Sequence, residues 1–257
     1  MAIVGISLLF HFTMSALFSA SWLSELDNLE AAWQHGDVCT QQDIDQVLPL
    51  WRERLQRPAS AHEEQFDIVD PAGKPLGFTA PRWFAHLVGL RHRVVHVLLT
   101  TPQGLLITQM RSHNKPEWPD LLDTTVGGHL KAGQNWREGV LSEIEEEIGL
   151  ASEDLPRWLA EPALIPIGGP LERYGRSQDT PPIRNWQVNQ IYTGTLTAWG
   201  LAHLHFADGE LDGVYLAAPT EIKRLVDSRS PRLAPGLRGV FPIWWEARAL
   251  NHPTSLD

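Results

Sequence analysis

The chain has 257 residues, of which 43% are hydrophobic, and this is enough to bury one sizeable core together with an appendage. Its formal net charge of −10 at pH 7 argues against a broad nucleic-acid-binding surface, because such surfaces are basic. The single cysteine, Cys39, excludes an intrachain disulfide framework. It fits a reducing compartment, so we expect a cytoplasmic location.

Residues 1–18 are mostly apolar and are open to three interpretations. They could be a signal peptide, although no basic residue precedes them and His11 interrupts a stretch that is short for a membrane span. Translation could instead begin at Met14, or the segment could pack on the following domain. We expect no membrane partner, and the sequence does not separate the three interpretations.

The segment 19–56 has apolar residues at helical spacing in two stretches, which predicts a helical hairpin. Thr40 and Asp43 have the spacing of a capping box at the start of the second helix. We therefore predict an N-terminal helical extension over residues 1–60 and one catalytic domain over residues 61–257.

Short strands alternate with helices in the rest of the chain. Residues 94–101 form a buried type of strand and residues 105–110 its hairpin partner, whereas residues 164–179 are rich in Pro, Gly and Arg and predict a loop. Another alternating strand covers residues 187–196, and a final helix carries Trp244. This order predicts an α/β fold in which helices cover both faces of a mixed sheet.

A helix with five glutamates dominates the middle of the sequence. Asn135 and Glu138 have capping-box spacing, and Gly149 is a typical end of a helix. At about 100° per residue, the apolar side chains share one arc that can face a core. These apolar residues are Val140, Leu141, Ile144 and Ile148.

Three of the glutamates, Glu143, Glu146 and Glu147, fall on a neighbouring arc at positions i, i+3 and i+4. They repel one another and lie near the negative C-terminal end of the helix dipole. A hard divalent cation is the simplest partner that would hold them together. Gly139 is expected among the carboxylates, where a larger side chain would crowd a bound group.

The whole stretch resembles the Nudix box, G-x5-E-x7-R-E-U-x-E-E-x-G-U, in which U is a bulky aliphatic residue. The pattern begins at Gly128 and ends at Leu150, and the three glutamates match it. Two letters differ, because Gln134 stands in place of the first glutamate and Ser142 in place of the arginine.

Residues 66–150 are also similar to the branch of the Nudix superfamily that includes isopentenyl-diphosphate isomerase. The residues that carry this second resemblance are Phe66-Asp67-Ile68-Val69-Asp70, His92-Arg93, Arg111, Lys115, Pro119, Asp123 and Gly127-Gly128-His129.

The resemblance implies a Nudix-type α/β/α sandwich and hydrolysis of a phosphoanhydride bond in a small nucleotide-like or other organic diphosphate. It implies that Glu143, Glu146 and Glu147 bind Mg²⁺ or Mn²⁺, that Gly128 offers its carbonyl, and that a glutamate in the site acts as base. The expected partner is thus a small molecule and not a nucleic acid.

Three residues before the helix are candidates for substrate binding. Arg111 and Lys115 lie where a diphosphate clamp would be useful, and a solvated loop is an equally good interpretation. Trp118 could stack on a heteroaromatic ring of a substrate.

The isomerase itself is expected to use a cysteine at the position of Gly127 and a glutamate at the position of Gln187. Glutamine cannot transfer a proton as a carboxyl group does, so we predict a hydrolase and not an isomerase. His86, His92 and His129 fall roughly where the isomerase gathers a metal. We favour the interpretation that the histidines hydrogen-bond loops, and a leftover metal site is the alternative.

The two departures from the box also permit a non-catalytic, ligand-binding Nudix relative. In the motif, the glutamate and the arginine carry opposite charges and could pair to orient the helix. Because Gln134 and Ser142 are both neutral, neither position leaves an uncompensated charge, and we therefore favour retained activity.

Overall fold

The structure is a computed structural model. It describes residues 20–34, 39–60, 62–115, 117–161, 163–179, 181–206 and 209–251. The segment 1–18, with its three interpretations, lies outside these ranges. Within them, no helix is both long enough and apolar enough to cross a membrane.

The described residues form eight α-helices and nine strands. The helices are α1 (Ala20–Gln34), α2 (Gln41–Arg54), α3 (Arg82–Val88), α4 (Trp136–Ile148), α5 (Leu155–Trp158), α6 (Ala198–Ala202), α7 (Pro219–Asp227) and α8 (Pro235–Asn251). The strands are β1 (Gln65–Val69), β2 (Pro75–Pro81), β3 (His92–Thr100), β4 (Leu106–Arg111), β5 (Leu122–Asp123), β6 (Val126–His129), β7 (Ile165–Arg176), β8 (Arg184–Thr195) and β9 (Leu211–Ala217).

The chain divides into two compact units. The first unit combines Met1–Arg93 with Glu172–Val188, and the second combines Val94–Leu171 with Asn189–Asp257. The functional boundary expected at residue 60 stays a prediction.

In the first unit, an antiparallel hairpin of β1 and β2 packs with the helices α1, α2 and α3 around a shared core. The predicted capping box begins α2, because the Thr40 hydroxyl accepts from the Asp43 backbone N–H and the Asp43 carboxylate accepts from the Thr40 N–H. Cys39 belongs to this core, and burial, with a contribution from the charge of Asp43, raises the pKa of its thiol to about 12. The thiol therefore stays protonated and unreactive at neutral pH.

A buried ion network connects α1 with β8 inside the first unit. The Arg184 side chain is fully buried, and its Nε donates to Glu30 Oε2 at 2.6 Å and its Nη1 to the Leu87 carbonyl at 2.8 Å. The same guanidinium pairs with Asp27. Because Glu30 is only 7% exposed, each charge depends on its partner for compensation.

The larger sheet has the strand order β5-β4-β3-β8-β7, with β6 also paired to β3 and β9 to β4. β3 pairs antiparallel with β4 and with β6. It runs parallel to β8, because Thr193 Oγ1 donates to the Leu98 carbonyl at 2.9 Å and Leu196 N to the Thr100 carbonyl at 2.8 Å. The sheet is therefore mixed, as predicted.

Two core clusters of the second unit place a helix on each face of this sheet. One cluster joins β3 to α4 through Val95, Val97, Leu99, Val140, Ile144 and Ile148. The other joins β3 to α8 through Leu98, Leu237, Val240, Phe241 and Trp244. The alternation along β3 sends neighbouring side chains to opposite faces, and the predicted α/β/α architecture is confirmed.

The prediction of a loop over residues 164–179 is wrong, because this segment contains the twelve-residue strand β7. Strand β7 ends the sheet order, next to β8. Proline is tolerated on an edge strand, where its missing N–H need not pair, so Pro166 and Pro170 do not prevent the strand. Pairing with β8 outweighs the local composition.

We expect the substitution Arg184→Met to destabilise the protein by about 3 kcal/mol, because it leaves the buried Glu30 carboxylate without its closest cation. A lowered urea midpoint at neutral pH would report this loss. The exposed Arg173 in β7 offers a matched control, and Arg173→Met should leave the midpoint nearly unchanged. Equal effects of the two substitutions would contradict the role given to the buried network.

Candidate active site

The helix α4 begins and ends where the sequence predicts. The Asn135 side chain accepts from Arg137 N at 2.9 Å and from Glu138 N at 3.0 Å, and the Glu138 carboxylate accepts from Asn135 N at 2.8 Å. Gly149 ends the helix in the left-handed conformation, with φ of 70°. These caps fix where α4 begins and ends. The packing of its apolar residues on the sheet sets which side of the helix faces inward.

The three box glutamates do not share one environment. Glu143 is 9% exposed and Glu147 is 4% exposed, so both carboxylates are buried between α4 and the sheet. The side chain of Glu146 is 47% exposed and lies at the rim. The predicted arc therefore supplies two inner carboxylates and one outer carboxylate.

Gly128 brings the backbone of β6 against the Glu143 carboxylate. A Cβ atom at Gly128 would lie 1.9 Å from Glu143 Oε2 and 2.2 Å from its Cδ, so any side chain here would displace the carboxylate. Gly128 pairs with Val95 of β3, which fixes the position of this backbone. Only glycine permits such a close approach of strand and carboxylate.

The Glu147 carboxylate receives two hydrogen bonds from the sheet. Gly127 N donates to its Oε2 at 3.3 Å, and Gln109 Nε2 donates to the same atom at 3.4 Å. One donor comes from β6 and the other from β4, so the carboxylate is located by two strands. The sequence does not indicate a functional role for Gln109, because the pattern of its strand is typical of an ordinary core strand.

The pKa of Glu147 lies well above its ordinary value. Burial is the largest cause, the charges of Glu143, Glu210 and Asp123 add to it, and the hydrogen bond from Gly127 opposes it. Three acidic side chains therefore act on the Glu147 carboxyl group at this position. A cation that entered here would relieve their repulsion.

The donor atoms fit a hard divalent cation. The carboxylates of Glu143 and Glu147 and the carbonyl of Gly128 offer oxygen only, and oxygen is the ligand type that Mg²⁺ and Mn²⁺ prefer. The backbone of Gly128 lies against the Glu143 carboxylate, since a Cβ atom at residue 128 would meet it.

Arg111 is engaged with the loop that follows β4. Its Nη1 lies 3.4 Å from Asp123 Oδ2, its Nη2 donates to the Glu117 carbonyl at 2.8 Å, and its Nε donates to the Trp118 carbonyl at 3.1 Å. Trp118 has a φ of 55°, which is uncommon for a bulky residue, and its side chain is 54% exposed. Arg111 thus fixes the loop that presents the Trp118 ring.

Lys115 lies on the same loop, and its Nζ is 2.6 Å from Glu210 Oε2. Glu210 and Asp123, the acidic partners of Lys115 and Arg111, both contribute to the raised pKa of Glu147. The two predicted clamp residues therefore lie beside the glutamate cluster. From the sequence, Glu210 could approach the metal or serve in a turn, and we favour the turn, because the sequence does not reveal that β9 pairs with β4.

The expectation for Gly139 is corrected by the structure. A Cβ atom there would lie 2.4 Å from Leu130 Cγ and 2.9 Å from its Cδ1. Gly139 therefore serves the packing of α4 on Leu130, and its small size is explained by the core and not by the carboxylates.

At the position of the expected isomerase cysteine, Gly127 has little space for a side chain. A Cβ atom would lie 3.0 Å from Thr124 Oγ1 and 3.2 Å from His96 Nδ1, so a cysteine would require its neighbours to move. His92 Nδ1 lies 2.8 Å from the Leu90 carbonyl, which fits the interpretation that this histidine hydrogen-bonds a loop.

The two residues that depart from the box motif both take part in hydrogen bonds. Gln134 Oε1 accepts from Lys131 N at 2.8 Å, and Ser142 Oγ donates to Glu146 Oε1 at 2.7 Å. Lys131 Nζ donates to the same Glu146 oxygen at 2.5 Å. Partial burial raises the pKa of Glu146, but the hydrogen bonds from Lys131 and Ser142 outweigh it, so this pKa lies below its ordinary value.

Comparison with known proteins places this chain in a family. The NUDIX domain model matches residues 90–229, which is more than half of the chain. The uncharacterized Nudix hydrolase YfcD of Shigella flexneri is 36% identical over 206 residues, and the match covers 79% of this chain and 98% of that protein. Nudix hydrolase 3 of Arabidopsis thaliana is 39% identical over 90 residues, and this match covers 34% of the chain but 12% of that protein.

The chain also spans little more than half the length of SCO1686, an uncharacterized Nudix hydrolase of Streptomyces coelicolor, with 36% identity over 100 residues that cover 39% of the chain and 55% of that protein. The fold is similar to that of DR0079 from Deinococcus radiodurans, with a TM-score of 0.51, 21% identity and coverage of 70% of this chain and 98% of that one. The family model and the full-length match to YfcD together establish that this chain belongs to the Nudix family.

Proposed function

We propose that this protein is a divalent-metal-dependent pyrophosphohydrolase that cleaves a phosphoanhydride bond in a small nucleotide-like or other organic diphosphate. The observation that carries the proposal is the pair of buried carboxylates, Glu143 and Glu147, against the glycine backbone of β6. Nudix membership supports the reaction class. The single Cys39 supports a cytoplasmic site of action.

In the proposed reaction, residues of this chain would bind the cation and accept the proton of the attacking water. Glu143, Glu147 and the Gly128 carbonyl would hold the cation from the inside, and Glu146 would approach it from the rim. When bound, Mg²⁺ or Mn²⁺ would neutralise the diphosphate and lower the pKa of a water molecule. A glutamate of this cluster would accept the proton of the attacking water.

Arg111, Lys115 and Trp118 form the proposed substrate side of the site. Lys115 Nζ would exchange its contact with Glu210 for a charge-assisted hydrogen bond to a phosphate oxygen. Arg111 supports the loop through its contacts with backbone carbonyls. The exposed Trp118 ring offers a surface on which a heteroaromatic group could stack.

The substitution Glu147→Gln tests the proposed chemistry with minimal change in shape. We expect it to lower kcat about a hundredfold or more in a diphosphate substrate panel with Mg²⁺ or Mn²⁺, because it removes an inner carboxylate. Chelation with EDTA should abolish turnover of the wild type. Glu145, exposed on the same helix, is the matched control, and Glu145→Gln should retain activity.

Two outcomes would contradict the catalytic proposal. The first is equal activity of the wild type and Glu147→Gln. The second is a wild type that turns over no compound in the panel yet gains thermal stability with a diphosphate, which would favour a ligand-binding relative.

Lys115→Met tests the clamp. We expect KM for a diphosphate substrate to rise about tenfold with a smaller change in kcat, because one charge-assisted contact to phosphate is lost. The exposed Lys74, in the turn between β1 and β2, provides a control. A KM equal to that of the wild type would remove Lys115 from the substrate side of the site.

Because the pKa of Glu147 is raised, we predict that its carboxyl group lowers the stability of the metal-free protein, and that this loss of stability depends on pH. At a pH below the ordinary range of glutamate, the carboxyl is protonated in the folded and unfolded states, and there is no cost. As the pH rises through the raised pKa, the folded state resists ionisation and loses stability relative to the unfolded state.

In EDTA, Glu147→Gln should therefore melt at the same temperature as the wild type near about pH 4 and at a higher temperature at pH 8. Saturating Mg²⁺ should remove the difference at pH 8, because the cation compensates the wild-type carboxylate. Thermal unfolding followed by circular dichroism measures both effects, with Glu145→Gln as control. A difference that is independent of pH would contradict the assignment.

A further inference from the structure

We propose that Lys131 is the positioning residue for Glu146, and that it replaces the arginine that the Nudix box places at the position of Ser142. The inference rests on the proposed function, because it assigns Glu146 to the metal site. It concerns a loop residue at one of the unspecified positions of the box, which the pattern does not single out.

The loop before α4 is shaped to present Lys131. Gln134 N donates to the Lys131 carbonyl at 3.2 Å, and Lys131 N donates to Gln134 Oε1 at 2.8 Å, so the two residues close a turn in both directions. Gly133 within the turn has a φ of 84°, which favours glycine. An uncharged amide is sufficient at residue 134, because its oxygen accepts from a backbone N–H.

From this turn, the Lys131 side chain reaches across to α4. Its Nζ lies 2.5 Å from Glu146 Oε1, and Ser142 Oγ, one helical turn before Glu146, donates to the same oxygen at 2.7 Å. Two donors on one oxygen select one orientation of the carboxylate. The short Ser142 supplies a hydrogen bond, and the positive charge comes from the loop.

Lys131 therefore connects both positions that depart from the motif. It bonds to Gln134 through its backbone and meets Ser142 at the carboxylate of Glu146. The hydrogen bonds around Lys131 thus involve both positions at which the glutamate and the arginine of the box are absent. An ion pair between the loop and the helix is therefore present in this chain, with Lys131 in place of the arginine of the motif.

The role of this contact is orientation and not overall stability. The side chains of Lys131 and Glu146 are 43% and 47% exposed, and exposed ion pairs contribute little to folding. A carboxylate already held in one orientation loses less conformational freedom when it binds a metal. The positive charge of Lys131 also repels a divalent cation, and this repulsion would weaken metal binding. Removal of Lys131 therefore lowers the metal affinity if orientation of Glu146 dominates and raises it if repulsion dominates.

The test measures Mn²⁺ binding without substrate, by the electron paramagnetic resonance signal of free Mn²⁺. We expect Lys131→Ala to weaken Mn²⁺ binding about fivefold and Lys131→Arg to remain within about twofold of the wild type. Lys223→Ala is the matched control, because Lys223 pairs with Asp227 at 2.6 Å and the two side chains are 41% and 60% exposed. It should leave Mn²⁺ affinity unchanged.

The decisive comparison restores the arginine of the motif. In the variant Ser142→Arg, adding Lys131→Ala should change Mn²⁺ affinity by less than about twofold, because the restored arginine, one helical turn before Glu146, takes over the contact. Unchanged or tighter binding by Lys131→Ala in the wild-type background, or equal weakening in both backgrounds, would overturn the inference alone. A wild type that binds no Mn²⁺ would overturn the proposed function and this inference together.

Discussion

The arrangement of the second unit depends on burying two carboxylates of one helix against a sheet. Glu143 and Glu147 both face inward on α4, where they repel each other and have few water contacts. The structure tolerates this through close contact with glycine backbone, two donors to Glu147 and a raised pKa for that residue. Such an arrangement costs stability in the absence of a cation, and it is the kind of cost that active sites retain.

Several elements around the site serve this one constraint. The caps at Asn135 and Gly149 fix the ends of α4, and Gly139 lets the helix approach Leu130. The core cluster on this face of the sheet then holds the helix in place. Arg111, the last residue of β4, lies beside Asp123 and fixes the shape of the following loop through its hydrogen bonds to two loop carbonyls.

Much of this could be predicted from the sequence, because the signals are local. The capping box, the terminal glycine and the glutamate spacing lie within one helix, and their effects need no knowledge of distant residues. The apolar arc that includes Val140 was predicted for the same reason. The separate environments of the inner and outer glutamates were not predicted, because the side that the sheet covers depends on packing.

The predictions that failed depend on tertiary contacts. The prolines and glycines of β7 predict a loop when only the sequence is considered. The position of this strand at the edge of the sheet, beside β8, is a tertiary feature that the sequence does not reveal. Gln109 lies on β4, and Glu210 directly precedes β9, which pairs with β4. This pairing brings both residues to the glutamates, and the sequence does not reveal it. Lys131 lies within the box loop, and its spacing to Gln134 could have suggested a turn. Its reach to Glu146 is visible only in three dimensions.

The central claim is that the inner glutamates hold a divalent cation together with the backbone of β6. Anomalous diffraction at the manganese absorption edge, from crystals soaked in Mn²⁺, tests this most directly. The account predicts a peak bounded by Glu143, Glu147 and the Gly128 carbonyl, and no peak at that place in crystals of Glu147→Gln. A Mn²⁺ peak elsewhere, with none beside these glutamates in the wild type, would contradict it.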